Sequence, residues 1–234
     1  MIRPRIHAHF AMTVDGKIST VRRTPSQFTS PADKARLHAI RAAHDAILAG
    51  RCTVASDSMS MRLSNPELRA RRVERGLPAE PLRIVVSRSG VLDPDWKIFQ
   101  HHGSPLLVFS TVRMPEDIRE AIAPRCELFL FDSPEVPLPA MLAILRRDHG
   151  VRSLVCEGGG ELLQGLARLD LLDEIHLTIA PVVFGGHSAP TLTGTPSDFL
   201  PEPRDFRLVS QRLEEGEWVV HFKRRRQRSS RLPG

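Results

Sequence analysis

The chain has 234 residues, of which 41% are hydrophobic, with a formal net charge of +6. That is enough for one sizeable core in a single α/β domain. No apolar run of ~18 residues is present, the opening MIRPRIHAHFAM lacks the apolar stretch of a secretory signal, and Cys52, Cys126 and Cys156 form no CxxC pair, so neither a membrane span, a leader, a disulfide framework nor a structural zinc site is expected, and a cytoplasmic setting is.

In chain order, RIHAHFAMTV alternates apolar and polar residues and predicts a strand over 7–14. The segment DGK ends it in a turn bordered by Asp15 and Gly16. Ser30, Pro31 and Asp33 carry a helix start signal, and Leu37 and Ile40 recur at helical spacing up to an end near His44. AILAG, RIVVS, PLLVFS and CELFLF are short apolar runs of strand length. PEDIREAIA and PLPAMLAILRRDHG predict helices, the second closed by Gly150. The Arg-, Ser- and Pro-rich stretch 56–80 predicts a long loop with a short helix, and His101–His102 a solvated loop. SLVCE then predicts a strand, GELLQGLARLDL a helix and DEIHLTIAPVVF a strand. FRLVSQRLEEGEWVVHF alternates on both sides of EEGE and predicts an antiparallel hairpin. Alternating strands and helices followed by a hairpin imply a mixed, mostly parallel sheet with helices on both faces.

The last segment, 223–234, holds Lys223, Arg224, Arg225, Arg226, Arg228 and Arg231 and no acid, so residues 1–222 are close to neutral. Residues 1–222 are therefore expected to form one domain. Residues 223–234 are expected to be a solvated, disordered tail, or else an electrostatic arm for RNA or DNA.

The stretch VCEGGGELLQGL places a carboxylate, Glu157, and three glycines, Gly158 to Gly160, between a strand and a helix. Bare backbone lets a ligand approach closely, and the N–H groups at a helix start can point at an anion. It is not a P-loop, because no Gly-Lys-Ser/Thr follows, and Leu163 stands where GxGxxG needs its third glycine. A plain strand-to-helix turn is the other reading of the glycines. Glu157 lies at the carboxyl end of a strand, where open α/β sheets place their ligands, or it pairs with an arginine.

AMTVDGKIST, SQFTS, RAAHDAILAGRCTVASD and VCEGGGELLQGLARLDLLDEIHLTIAPVVFGG occur in this order between Ile6 and Phe222. Together they resemble the reductase domain of bifunctional riboflavin-biosynthesis deaminase–reductases. The resemblance implies a dihydrofolate-reductase-like fold, a homodimer, and NADPH-dependent reduction of the ribosyl group of a ribosylaminopyrimidine 5′-phosphate to ribityl. The HxE and PCxxC of the zinc deaminase are absent, so a stand-alone reductase is expected.

On the matching positions, the resemblance implies that Thr53, Asp57 and Phe28 face the cofactor. It further implies that Gly158, Gly159, Gly160, Glu161 and Leu162 hold its phosphates and that Ser87 and Arg88 read its 2′-phosphate. Ser26, Arg41, Arg62 and Glu157 fall on the substrate side. Asp57 and Glu157 are the expected catalytic residues, either able to protonate the imine that accepts hydride at C1′. No metal is required, and the ten histidines are scattered along the chain. Three departures fall on the substrate side: Ser58–Met59 where the family carries an acid and a proline, Ser64 in place of an arginine, and His9 in place of a lysine or asparagine. They keep open a related reductase acting on a pterin, dihydrofolate or another heterocycle. A non-catalytic nucleotide-binding protein with an RNA-binding tail is the third reading.

Overall fold

A computed structural model describes residues 2–23, 28–195 and 200–225. The strands are β1 (Arg5–Thr13), β2 (Ala46–Gly50), β3 (Leu82–Ser87), β4 (Leu106–Thr111), β5 (Glu127–Phe131), β6 (Ser153–Gly158), β7 (Glu174–Ala180), β8 (Phe206–Glu214) and β9 (Glu217–Arg224). They form one sheet in the order β5-β4-β3-β2-β6-β1-β7-β9-β8. Pairing is parallel from β5 to β7, while β9 runs antiparallel to both β7 and β8. The mostly parallel sheet with a C-terminal antiparallel hairpin is the expected architecture.

The helices are α1 (Pro31–Ala43), α2 (Arg51–Ser56), α3 (Pro66–Glu74), α4 (Lys97–Gln100), α5 (Glu116–Ile122), α6 (Leu138–Arg147) and α7 (Gly160–Arg168). Helix α1 starts as its sequence dictates: the Ser30 hydroxyl accepts from the Asp33 amide, Pro31 opens the first turn, and His44 closes the last. The start is also tied to the hairpin, since the Ser30 amide and hydroxyl donate to the two Glu217 oxygens, each at 2.7 Å.

Alternation along the inner strands fills both faces. Ala46, Leu48, Leu154 and Cys156 pack with Met141, Leu142 and Leu145 of α6 and Leu163 and Leu166 of α7. Ile47, Ala49, Val85, Val108 and Val155 pack on the other face with Val54, Ile98 and Ile122. All are buried, so residues adjacent in sequence serve opposite cores.

Two local readings of the sequence are corrected, and one element is added. Segment 51–56 is a helix, too short for a periodic signal. His101 is not solvated: its Nε2 lies 2.8 Å from an oxygen of the buried Glu80. The hairpin runs past residue 222, for Lys223 lies 3.1 Å from Glu174, and Arg224 donates to Asp170 at 2.6 Å. The tail beyond Arg225 lies outside the described residues.

Candidate active site

The chain switches direction across the sheet at β1. β2 to β5 extend to one side, β7 to the other, and β6 returns to fill the place between β1 and β2. At such a point the loops leaving adjacent strands part, and a crevice opens at the strands' carboxyl ends. A cleft of about 330 Å³ lies there. Its walls come from the carboxyl half of β1 (His9, Phe10, Ala11), from α2 (Cys52, Thr53, Ser56, then Asp57) and from the β6–α7 junction (Glu157 to Glu161), with Phe28, Leu37 and the segment near Gly194 closing it.

The three glycines have three separate causes. Gly159 has φ +95, a region that L side chains rarely adopt. A methyl placed on Gly158 would fall 2.3 Å from Thr53 Cγ2, and one on Gly160 would fall 2.2 Å from the Gly194 amide nitrogen. At Gly158 and Gly160, then, the close approach is made by the protein itself. It welds α2 and the 191–194 turn onto the β6–α7 junction. Within α7 the first hydrogen bond on this side runs from the Leu163 amide to the Gly159 carbonyl. The amides of Gly160, Glu161 and Leu162 precede it, at the positive end of the helix.

Glu157 sits on the cleft floor and is locked to Arg41. Arg41 Nε and Nη2 each donate to one carboxylate oxygen at 2.6 Å, and Nη1 donates to the Arg62 carbonyl at 2.9 Å. The two side chains are 9% and 3% exposed. All three Arg41 nitrogens are engaged, and neither Arg41 nor Arg62 lines the cleft. The structure therefore brings both sequence alternatives for Glu157 together: it pairs with an arginine and it faces the cavity.

Asp57 follows α2, its Oδ1 accepting from the Ser56 hydroxyl at 3.2 Å. The residue is exposed at the cleft mouth, while partial withdrawal of its carboxyl from water raises it from its ordinary value, with the Ser56 bond opposing. Burial pushes the His9 imidazole down, so it faces the floor as a neutral ring.

Phe28 packs edge-on against Phe184 with ring centres 5.1 Å apart. Asp15, outside the cleft lining, ties down the same segment: its carboxylate accepts from the Thr13 hydroxyl and from the Phe184 and Gly185 amides. Ser87 and Arg88 stand outside the cleft lining, at the end of β3. Ser87 is buried, its hydroxyl accepting from the Gly90 amide at 3.0 Å, and the Arg88 side chain is 66% exposed near Glu135. The Leu162 side chain is buried in the core. Ser26 lies outside the described residues. The 190–195 segment, which lines the cleft, offers no sequence signal beyond its turn residues, because tertiary packing alone brings it to Gly160.

The family model for the RibD C-terminal domain matches residues 4–212. This chain belongs to that family. A relative from Archaeoglobus fulgidus, named 2,5-diamino-6-ribosylamino-4(3H)-pyrimidinone 5′-phosphate reductase, is 32% identical over 215 residues, covering 92% of this chain and 96% of the relative. A reductase of the same name from Methanothermobacter thermautotrophicus is 30% identical, covering 82% and 84% of the two chains. The crystal structure of a pyrimidine reductase-like protein from Corynebacterium diphtheriae superposes with a TM-score of 0.83 at 18% identity, covering 95% of this chain and 92% of that one. This last likeness shows that the RibD reductase-domain fold is shared.

The histidines, scattered in sequence, are not all scattered in space. His7, Glu174 and His176 place one ligand atom each within 4.8 Å of one another, away from the cleft lining. Among the described residues no helix is long and apolar enough to cross a membrane.

Proposed function

We propose that this RibD-family chain reduces the ribosyl group of a ribosylaminopyrimidine 5′-phosphate to ribityl, with NADPH as the hydride source, in riboflavin biosynthesis. The observation that carries the reading is the placement of Glu157, Asp57 and the α7 amides around one cleft at the switch point, in a chain matching a named pyrimidinone phosphate reductase over nearly its whole length. The donor set suits a dinucleotide. Amides at the start of a nine-residue helix fit a pyrophosphate, and the Thr53 and Phe28 walls fit a flat ring. Arg88, exposed at the end of β3 and only weakly engaged at 3.7 Å from Glu135, is free to take a 2′-phosphate.

When bound, the nicotinamide supplies hydride. The residues of the chain divide the remaining work. Glu157, gripped by Arg41, positions the substrate through the side of its carboxylate that faces the cavity. Asp57, whose carboxyl holds its proton to higher pH, hands that proton to the acceptor nitrogen. Water is kept from the floor by Phe10 and Leu37.

We place the protein in the cytoplasm, where its free thiols Cys52, Cys126 and Cys156 stay reduced. We also propose a homodimer, because Leu208, Leu213 and Trp218 expose apolar side chains on the edge hairpin β8–β9. Light scattering on the protein and on Leu213→Glu tests this assembly.

The deciding experiment supplies NADPH with the diamino phosphoribosylamine, its deaminated form, or dihydrofolate, and follows cofactor oxidation. Turnover with either phosphorylated ribosylamine is expected. Turnover with dihydrofolate alone would replace this reading by the related heterocycle reductase, and binding without any turnover by the nucleotide sensor.

A further inference from the structure

The sheet face that carries α1 holds a group of side chains the reaction does not use. β1 and β7 pair in register at His7 and Glu174 and again at His9 and His176. β7 and β9 pair at Glu174 and Lys223 and at His176 and His221. Residues two apart on a strand, and partners across strands, share a face. Imidazoles and one carboxylate are therefore stacked in neighbouring rows. The His7 and His176 rings lie 5.7 Å apart, and those of His176 and His221 4.2 Å apart. The single acid, Glu174, accepts from His221 Nε2 at 2.8 Å and pairs with Lys223 at 3.1 Å. His7 Nδ1 is buried and has no hydrogen-bond partner, although it lies 3.7 Å from Glu174 Oε2. A buried imidazole nitrogen without a partner is costly unless something claims its lone pair.

We propose that His7, Glu174 and His176 form a binding site for a zinc-type divalent transition metal, in which two imidazoles and one carboxylate leave a fourth position open. Their ligand atoms already lie within 4.8 Å of one another. Tetrahedral ligands at ~2.0–2.1 Å from zinc stand roughly 3.3 Å apart, so rotation of the side chains must close the site around the ion. Borderline nitrogen ligands select zinc, nickel, cobalt or copper over magnesium and calcium. His221 Nε2 donates at 2.8 Å to Glu174 Oε2, the oxygen nearest His7, so a bound ion shares or displaces that contact. Lys223 is the resident counter-charge on the other oxygen, Oε1, and its ammonium opposes the charge of the ion. The site stands apart from the reductase reading, since none of its three ligands lines the cleft.

The experiment is a calorimetric titration of the chelator-stripped, full-length protein with Zn²⁺ alone, paired with the visible spectrum of the Co²⁺-loaded protein. Saturable uptake of one ion per chain is expected, with a spectrum of low-coordinate cobalt. Glu174→Gln and His176→Gln should each weaken uptake at least about tenfold. Lys223→Met, which keeps every ligand and removes the competing ammonium, should bind more tightly. Wild-type protein that takes up no Zn²⁺, or uptake unchanged in both ligand variants, overturns the site. If those variants do not fold by circular dichroism, Lys223→Met decides: affinity equal to or below wild type overturns it.

Discussion

Arg41 and Glu157 meet fork to fork, both nitrogen–oxygen distances at 2.6 Å, although 116 residues separate them. The pair joins α1 to the end of β6 beneath the cleft. Arg41 also donates to the Arg62 carbonyl, so the same guanidinium anchors the segment that follows Asp57. One buried interaction thereby sets the floor of the site and one edge of its wall.

Loss of charge at Glu157 should be felt in stability and in turnover. Orphaning one partner of a buried pair costs roughly 3–5 kcal/mol. Glu157→Gln keeps one acceptor oxygen, so its cost should fall at the lower end. Denaturant unfolding should show that loss, and kcat should drop while the cofactor still binds in a fluorescence titration. Normal kcat and KM in a folded Glu157→Gln protein would leave the residue purely structural.

Asp57 predicts a pH signature. Its carboxyl is raised because it is partly withdrawn from water. A proton donor works only while protonated, so kcat/KM should be full below that raised value and fall as pH rises through it. Asp57→Asn should remove this limb and lower kcat by ~10²–10⁴-fold. A variant that keeps the wild-type profile would assign the proton to another group.

Arg88 predicts cofactor choice. Its side chain is 66% exposed, so Arg88→Ala should leave stability unchanged. Removing a charge-assisted contact to a 2′-phosphate is worth about 1.5–3 kcal/mol, or roughly 10–100-fold in affinity. KM for NADPH should rise by that factor and KM for NADH should stay. Equal effects on both cofactors would move 2′-phosphate recognition elsewhere.

Gly160 predicts a packing effect. A methyl there would lie 2.2 Å from the backbone nitrogen of Gly194, and backbone yields less readily than a side-chain tip. Gly160→Ala should destabilise the protein by about 1–3 kcal/mol and push the 191–194 turn off the cleft wall, raising KM for cofactor. A melting temperature and KM equal to wild type would show that the turn is free to move.

Local chemistry made much of this fold legible. Ser30, Pro31 and Asp33 announce α1 because capping depends on residues three apart. The inner strands show as apolar runs because both sheet faces are covered, and EEGE marks the hairpin. The Glu157–Gly160 junction could be picked out because a carboxylate and bare backbone at a strand end are unusual together. Helix α2 left no trace, since six residues give no period, yet it carries Thr53 and leads into Asp57.

Other features depend on contacts that no short stretch of sequence contains. Arg72 and Arg83 look like surface residues in an Arg-rich chain, but each is buried with its guanidinium donating to backbone carbonyls. His7, Glu174 and His176 meet only because β1 and β7 pair in one particular register. Sequence by itself determined most of the elements, their order and the junction that faces a ligand, because those rest on neighbours along the chain. Tertiary structure alone decided which arginine holds Glu157, why two of the three glycines are required, and where the histidines gather, because a side chain's partners are set by strand order and register across the sheet.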